Sequence, residues 1–234
     1  MTSCKSIIVT GGASGIGLAI TRHFASQGHH VAILDMNGDT GPRVAASVAG
    51  EFVQACVSFY QCDVSSWDEQ AAVFKKVFHK QGDRIDIVVA NAGVSEQGVT
   101  TLVGHGDDAE GPTRPRVKTV EVNLLGAIYS SKFGVVGLVR STAKVIEKAD
   151  IQINALAPAV LDTNIAPDKD LFKHMTITPM ETLIRGVDRF LADPSISGAV
   201  AEIHGDKVTI RPPHEYVDEE SRKNIETFWN LGYA

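Results

Sequence analysis

Cysteine is scarce in this chain, and its spacing excludes two kinds of site. The 234 residues include three cysteines, Cys4, Cys56 and Cys62. An odd number without a Cys-x-x-Cys pair is a poor basis for disulfides or for a cysteine zinc site. The eight histidines do not gather at metal-ligand spacing, and no His-Glu-x-x-His motif occurs, so no metal site is expected. A reducing compartment is therefore predicted.

Long apolar runs and basic runs are also missing. No window reaches about 18 uninterrupted apolar residues, the length that a membrane-spanning helix needs. Residues 1–9 are too short and too polar for a secretory signal. A net charge of −6 without a basic run argues against nucleic acid or an anionic membrane as a partner. We therefore expect a cytoplasmic protein with neither a membrane nor a nucleic-acid partner.

Short apolar runs alternate with stretches of helical periodicity along most of the chain. Strands are predicted at 6–10, 30–34, 57–63, 86–90, 151–156 and 198–203, and helices at 15–27, 40–49, 66–80, 179–192 and 218–229. Residues 95–116 and 157–174 have loop composition, and 117–149 have helical periodicity with glycine interruptions. This order predicts an α/β fold, a doubly wound parallel sheet with helices on both faces.

The glycine-rich sequence TGGASGIG at 10–17 follows the first predicted strand and opens the first predicted helix. Gly11 allows the tight turn, Gly15 lets the backbone approach a pyrophosphate, and Gly17 lets the helix lie close to the strand. Free N–H groups at the helix start, together with the helix dipole, favour an anion. The pattern predicts a single Rossmann-type NAD(P)-binding domain over residues 1–234. A plain strand–turn–helix connection with surplus glycine is the alternative.

An acidic residue directly follows the second predicted strand. Asp35 is placed where a carboxylate accepts hydrogen bonds from the adenosine ribose hydroxyls. Met36 and Asn37 beside it, and Ser14 in the glycine-rich turn, supply no cation for the 2′-phosphate of NADP. NAD is therefore the predicted cofactor, with NADP disfavoured. The alternative is that Asp35 caps a turn with Asn37 and Gly38.

A series of motifs follows along the chain. They are Thr10-Gly11-x-x-x-Gly15-x-Gly17, Asp63-Val64, Asn91-Ala92-Gly93, Asn123, Ser131-Lys132-Phe133-Gly134, and Asn154-Ala155-x-x-Pro158 with Thr163. In these motifs and in their order, the chain resembles the short-chain dehydrogenase/reductase family over residues 5–205. Ala159 replaces the glycine that is usual in the last of these segments. Within the family, the resemblance is to 15-hydroxyprostaglandin-dehydrogenase-like members.

The resemblance implies a set of cofactor-binding residues. They are Gly11, Ser14, Gly15, Ile16, Gly17, Asp35, Asp63, Val64, Asn91, Ala92, Gly93, Lys132, Leu161 and Thr163. In this set, Asp63 and Val64 would hold the adenine, and the segment 91–93 would line the cofactor. The resemblance also implies catalytic roles for Lys132, which would hold the nicotinamide ribose, and for Asn123, which would tie a proton-relay water to the site.

The catalytic part of the resemblance is incomplete. In the family, a strand with a catalytic serine lies between the asparagine and the lysine, whereas here Asn123 and Lys132 are nine positions apart. No serine is therefore expected on a strand at the required place. Ile128 occupies the position four before the lysine, where the family has its catalytic tyrosine. Tyr129, three before the lysine, is the remaining candidate acid–base residue, and its alternative is a packing or surface role.

The segment that is absent here comprises a half-helix, a strand and a half-helix. Without it, the remaining strand–helix–strand connection can still form a right-handed crossover between parallel strands. We therefore expect a sheet of six parallel strands, one fewer than the usual seven, and a fused helix over 117–148 that is interrupted at a glycine. Valines such as Val135, Val136 and Val139 should be exposed or buried in a different way. The sequence leaves open whether the chain forms a homo-oligomer.

Two functions remain open from the sequence. The first is an NAD-dependent oxidoreductase that acts on a small-molecule secondary alcohol or ketone, with acid–base catalysis beside the cofactor. The second is a catalytically silent module that binds a dinucleotide. If the second holds, Lys132 can be an ordinary solvated lysine.

Overall fold

The computed structural model describes residues 4–94, 121–126, 149–163, 175–212 and 218–230, together with single residues at 139, 140, 142, 143, 146, 172 and 215. Its backbone contacts divide the chain into two compact units. The first unit is Met1–Gly134 with Asp162–Lys173, and the second unit is Val135–Leu161 with His174–Ala234. A single domain over 1–234 stays a prediction.

A four-stranded parallel sheet forms the centre of the first unit. Its strands are β1 (Ser6–Thr10), β2 (His30–Asp35), β3 (Cys56–Gln61) and β4 (Ile87–Val89), in the order β3-β2-β1-β4. All five residues of β1 and the middle four of β2 are buried, because both faces of these strands are covered. Strands covered on both sides are apolar without alternation, and the sequence of β1 and β2 has this property.

Three helices link these strands: α1 (Gly15–Ser26), α2 (Gly41–Glu51) and α3 (Trp67–Lys80). The start of α3 is fixed by Ser66, whose hydroxyl oxygen accepts a hydrogen bond from the N–H of Glu69. Ile33 packs in a cluster with Ala45 of α2, whereas the adjacent Leu34 packs in a cluster with Val77 of α3. The sheet is therefore covered on both faces, and the predicted Rossmann-type α/β fold is confirmed.

The second unit has its own three-stranded sheet. Its strands are β5 (Ala155–Pro158), β6 (Val200–His204) and β7 (Lys207–Arg211), and its helices are α4 (Met180–Ala192) and α5 (Glu219–Asn230). Strands β5 and β6 are parallel, and β7 returns antiparallel to β6 through Gly205, at a φ of 56°. Helix α4 lies close to β6, since a methyl group at Gly186 would be 2.7 Å from Cδ1 of Ile203.

Two strand predictions are corrected by the structure. Strand β7 lies between the last predicted strand, at 198–203, and the predicted helix at 218–229, where the sequence predicts no strand. Every second residue of it is exposed and its apolar residues are few, so the sequence pattern is weak. Strand β5 begins at Ala155 and not at Ile151. Ahead of it, the carboxamide of Gln152 donates to backbone carbonyl oxygens of the second unit, including that of Ile196 at 2.6 Å. Among the described residues, six strands have a parallel neighbour, which agrees with the predicted number. They form two sheets and not one, and β7 adds an antiparallel strand to the second sheet.

The predicted fused helix over 117–148 is described only in part. Residues Glu121–Gly126 form a π-helix and not an α-helix, a rare conformation that is frequent at functional sites. Val139 is buried, so of the two outcomes expected for it, exposure does not apply. Residues 127–138, which include Ile128, Tyr129 and Lys132, lie outside the described residues. Among the described helices, none has the length and apolar character that crossing a bilayer requires.

Candidate functional site

Thr10, the last residue of β1, ties the glycine-rich turn to the end of β4. It is 1% exposed, and its Oγ1 accepts hydrogen bonds from the backbone N–H groups of Asn91 and Ala92, each at 3.0 Å. The carboxamide of Asn91 donates in return to the carbonyl oxygen of Thr10 at 2.9 Å. These bonds hold the segments 10–17 and 91–93 side by side at the carboxyl edge of the sheet.

Two glycines of the turn are required by the available space. Gly11 has a φ of 62°, and a methyl group on it would lie 2.9 Å from Cα of Ala92. A methyl group on Gly17 would lie 2.1 Å from the carbonyl oxygen of Gly11 and 2.6 Å from Nδ2 of Asn91. The first turn of α1 therefore touches the backbone of the loop before it, as the glycine spacing predicts.

The start of α1 can receive an anion. Ser14 is the N-cap residue, but its side chain makes no capping hydrogen bond. The first hydrogen bond of the helix runs from the N–H of Leu18 to the carbonyl oxygen of Ser14, at 2.9 Å. The N–H groups that precede Leu18 in the first turn are therefore not used by bonds within the helix. Among the described residues, a methyl group added to Gly15 would meet the side chain of Thr163, at 3.5 Å. Such a helix start binds phosphate through its N–H groups and dipole.

The carboxylate of Asp35, at the end of β2, is held by two backbone donors. Its Oδ2 accepts from the N–H of Ala13 at 3.2 Å, and its Oδ1 accepts from the N–H of Asn37 at 3.1 Å. The hydrogen bond from the N–H of Asn37 is the turn-capping contact that the sequence offers as the alternative role of Asp35. The two roles are compatible, because a carboxylate has about four acceptor positions and two of them remain for ribose hydroxyls.

Asp63 and its neighbours follow β3 at the same edge. Oδ1 of Asp63 accepts from the N–H and from the hydroxyl of Ser65, at 2.9 and 2.6 Å. The preceding residue, Cys62, is buried, and burial, followed by the charges of Glu69 and Asp63, raises the pKa of its thiol to about 11. Cys62 therefore stays neutral at physiological pH and serves as an apolar wall of the site.

Asn123 lies in the π-helix and holds the chain just after Gly93. Its Oδ1 accepts from the N–H of Val94 at 2.8 Å, and its Nδ2 donates to the carbonyl oxygen of Val94 at 2.9 Å. This pair of bonds makes Asn123 a backbone clamp in the structure. Its part in a proton relay stays a prediction.

These segments of the first unit enclose a groove with a volume of about 340 Å³. Eleven of the fourteen predicted cofactor-binding residues line it: Gly11, Ser14, Gly15, Ile16, Asp35, Asp63, Val64, Asn91, Ala92, Gly93 and Thr163. Of the other three, Gly17 lies behind the turn, Leu161 belongs to the second unit, and Lys132 lies outside the described residues.

Five further residues line the groove without having been predicted, namely Leu34, Met36, Cys62, Val94 and Val122. Each of them is next to a predicted residue or two positions away from one. For Leu34, Met36 and Cys62, the sequence signal that could have found them is their position at a strand end, where both neighbours of a binding residue approach the ligand.

The parallel sheet, the uncapped helix start after a glycine-rich turn and the acid after β2 define a Rossmann-type dinucleotide-binding fold. Residues 5–129 match the family model described as short chain dehydrogenase. This match covers more than half of the chain, which therefore belongs to the short-chain dehydrogenase family.

Known proteins similar to this chain include both cofactor types. NADP-dependent dehydrogenase clz5 of Cochliobolus lunatus is 37% identical over 131 residues, which cover 55% of this chain and 44% of that protein. The 15-hydroxyprostaglandin dehydrogenase [NAD(+)] of Bos taurus is 26% identical over 241 residues, covering 85% of this chain and 90% of that protein. The NADPH-dependent 3-quinuclidinone reductase of Rhodotorula rubra shares the fold, with a TM-score of 0.68, 23% identity, and coverage of 86% of this chain and 90% of that chain.

The lengths of these matches bear on the missing segment. The match with the 15-hydroxyprostaglandin dehydrogenase runs over 241 positions, whereas 85% of 234 residues is about 199 residues of this chain. About 42 positions of that match therefore have no residue of this chain, which agrees with a lost segment of the size of a strand and two half-helices. The chain also spans only 44% and 37% of the length of two NADP-dependent dehydrogenases that it matches over 131 residues.

Proposed function

We propose that the groove binds NAD and that the chain is an NAD-dependent oxidoreductase acting on a secondary alcohol or the corresponding ketone. The carboxylate of Asp35 supports the choice of NAD, because two backbone N–H groups orient it at the end of β2, where Rossmann-type folds bind the adenosine ribose. No lysine or arginine lines the groove among the described residues. A 2′-phosphate would therefore meet an unbalanced negative charge at this point.

The residues present fit such a cofactor. The N–H groups at the start of α1 would receive the pyrophosphate, Asp35 the adenosine ribose, and Asp63 with Val64 the adenine. NAD, when bound, supplies the acceptor for the hydride. A cytoplasmic location, a small-molecule substrate and a possible homo-oligomer complete the proposal.

A change at Asp35 tests the cofactor assignment. We expect Asp35→Asn to weaken NADH binding about tenfold and to reduce the preference for NADH over NADPH, since the variant loses the negative charge and one of its acceptor oxygens. Isothermal titration calorimetry of both nucleotides measures this. The control is Asp68→Asn, an exposed position in the first turn of α3 that makes the same change in net charge. An Asp35→Asn variant with unchanged NADH affinity would contradict the assignment.

The second candidate function is a catalytically silent dinucleotide-binding module. The observation that favours it is in the sequence: Ile128 stands where the family's tyrosine is expected, and no serine is expected on a strand between Asn123 and Lys132. Both candidates require NADH binding, so binding alone does not separate them.

Turnover separates the two candidates. For the oxidoreductase, we expect NADH formation with at least one member of a panel of secondary alcohols. We also expect Lys132→Ala to abolish the rate and Tyr129→Phe to leave it unchanged, because Tyr129 is one position away from the acid–base slot. Absorbance at the NADH band measures the rate. Intact NADH binding without turnover on any alcohol identifies the silent module, and a rate abolished by Tyr129→Phe would show that Tyr129 is the acid–base group after all.

A further inference from the structure

The carboxamide of Gln61 lies against the loop that follows Asp35. Gln61 and Asp35 are the last paired residues of β3 and β2, and paired residues of parallel strands project to the same face of the sheet. Nε2 of Gln61 donates to the carbonyl oxygen of Met36 at 3.3 Å. A methyl group on Gly38 would lie 2.8 Å from Oε1 and 3.0 Å from Cδ of Gln61, so the backbone at Gly38 rests directly on the carboxamide.

The same loop carries one of the two donors that orient Asp35. The N–H of Asn37 binds Oδ1 of Asp35, and Asn37 lies between the two residues that Gln61 contacts. Oδ1 of Asn37 accepts from the N–H groups of Asp39 and Thr40, at 3.2 and 3.0 Å, which ties the far end of the loop to the start of α2. At the other end of the loop, the side chain of Gln61 contacts Met36 and Gly38.

An open surface depression adjoins the groove at Asp35. It is lined by Asp35, Met36, Asn37, Gly38, Asp39 and Gln61, and it shares Asp35 and Met36 with the groove. Because this side of Asp35 is open to solvent, discrimination against a 2′-phosphate depends on charge. A charge beside such an opening is effective only if its position is fixed.

We infer that Gln61 is a positioning residue for cofactor selection: by fixing the Met36–Gly38 loop, it keeps the Asn37 N–H on Asp35 and so holds the carboxylate where it accepts ribose hydroxyls and repels a 2′-phosphate. The inference rests on the proposed function, because it requires that the groove binds NAD. Without Gln61, the Met36–Gly38 loop loses this contact with β3, and of the two described donors to the carboxylate the Ala13 N–H remains fixed.

The test is calorimetric titration of Gln61→Ala with NADH and with NADPH. We expect the affinity for NADH to fall about fivefold, the loss of one hydrogen bond's contribution, while the affinity for NADPH changes by less than about twofold. The matched control is Gln54→Ala, since Nε2 of Gln54 also donates to a backbone carbonyl oxygen at 3.3 Å, that of Ser26, which does not line the groove. This control should leave both affinities unchanged.

Gly38→Ala provides an independent arm. The added methyl group must displace the carboxamide of Gln61, so this variant should show the same loss of NADH preference as Gln61→Ala. In the Gln61→Ala background, Gly38→Ala should cause little further loss of NADH affinity, because both changes remove the same contact between Gly38 and the carboxamide of Gln61. Gly50→Ala, at a helical position with no neighbour within 4 Å of the added methyl group, is its control.

The outcomes are distinguishable. If Gln61→Ala weakens NADH and NADPH equally, or neither of them, while the unmodified chain prefers NADH, the inference is overturned and the proposed function stands. Additive losses in the Gly38→Ala and Gln61→Ala double variant would also overturn it. If the unmodified chain binds neither nucleotide, the proposed function fails, and the inference fails with it.

Discussion

Gly17→Ala is expected to abolish detectable NADH binding and to lower the free energy of unfolding by about 3 kcal/mol or more. The added methyl group would lie 2.1 Å from the carbonyl oxygen of Gly11 and 2.6 Å from Nδ2 of Asn91. The first of these atoms is backbone and cannot rotate away. Helix α1 must therefore move off the turn, which displaces the N–H groups that would receive the pyrophosphate. Urea unfolding and calorimetric titration with NADH measure the two effects.

The matched control for this change is Gly50→Ala in α2. The methyl group there would have no neighbour within 4 Å, so only the helix preference of alanine acts, and the free energy of unfolding should rise by up to about 1 kcal/mol. NADH binding should not change. A folded Gly17→Ala variant with normal NADH affinity would refute the close approach of α1 to the turn.

Thr10→Val should lower the free energy of unfolding by about 2 kcal/mol, because it leaves the half-buried N–H groups of Asn91 and Ala92 without their acceptor. The substitution keeps the size and shape of the side chain, so the loss reports the hydroxyl oxygen alone. Thr10→Ser keeps that oxygen and removes one methyl group, and it should lower the free energy of unfolding by about 1 kcal/mol. Urea denaturation followed by circular dichroism compares the variants.

A second buried threonine controls for the substitution itself. Thr142 is 2% exposed, and its Oγ1 has no hydrogen-bond partner among the described residues. Thr142→Val should therefore leave the free energy of unfolding unchanged or raise it slightly. Equal losses for Thr10→Val and Thr142→Val would mean that the bonds to Asn91 and Ala92 contribute nothing.

The groove could be predicted from the sequence because its residues are selected by backbone constraints. Gly11 and Gly17 occur where a side chain would collide with backbone atoms, and such positions admit one residue type. Asp35 and Asp63 follow strand ends, which parallel topology brings to one edge. These requirements act through local spacing, so they are visible in a single chain.

Other features depend on partners that are distant in sequence. Strand β7 exists because it completes a hairpin with β6, and its own composition resembles a solvated tail. Residues 151–154 have the apolar character of a strand, yet the carboxamide of Gln152 binds carbonyl oxygens near residue 196 instead. The contact of Gln61 with Met36 joins residues 25 positions apart and leaves no local pattern.

All the residues that line the groove belong to the first unit, including Thr163, which returns to it from a later part of the chain. Removal of sequence between Asn123 and Lys132 leaves every one of these residues in the chain. If the groove binds NAD as we propose, coenzyme binding depends on residues other than those that turnover requires. Loss of that segment would then remove the chemistry and leave a folded coenzyme-binding protein.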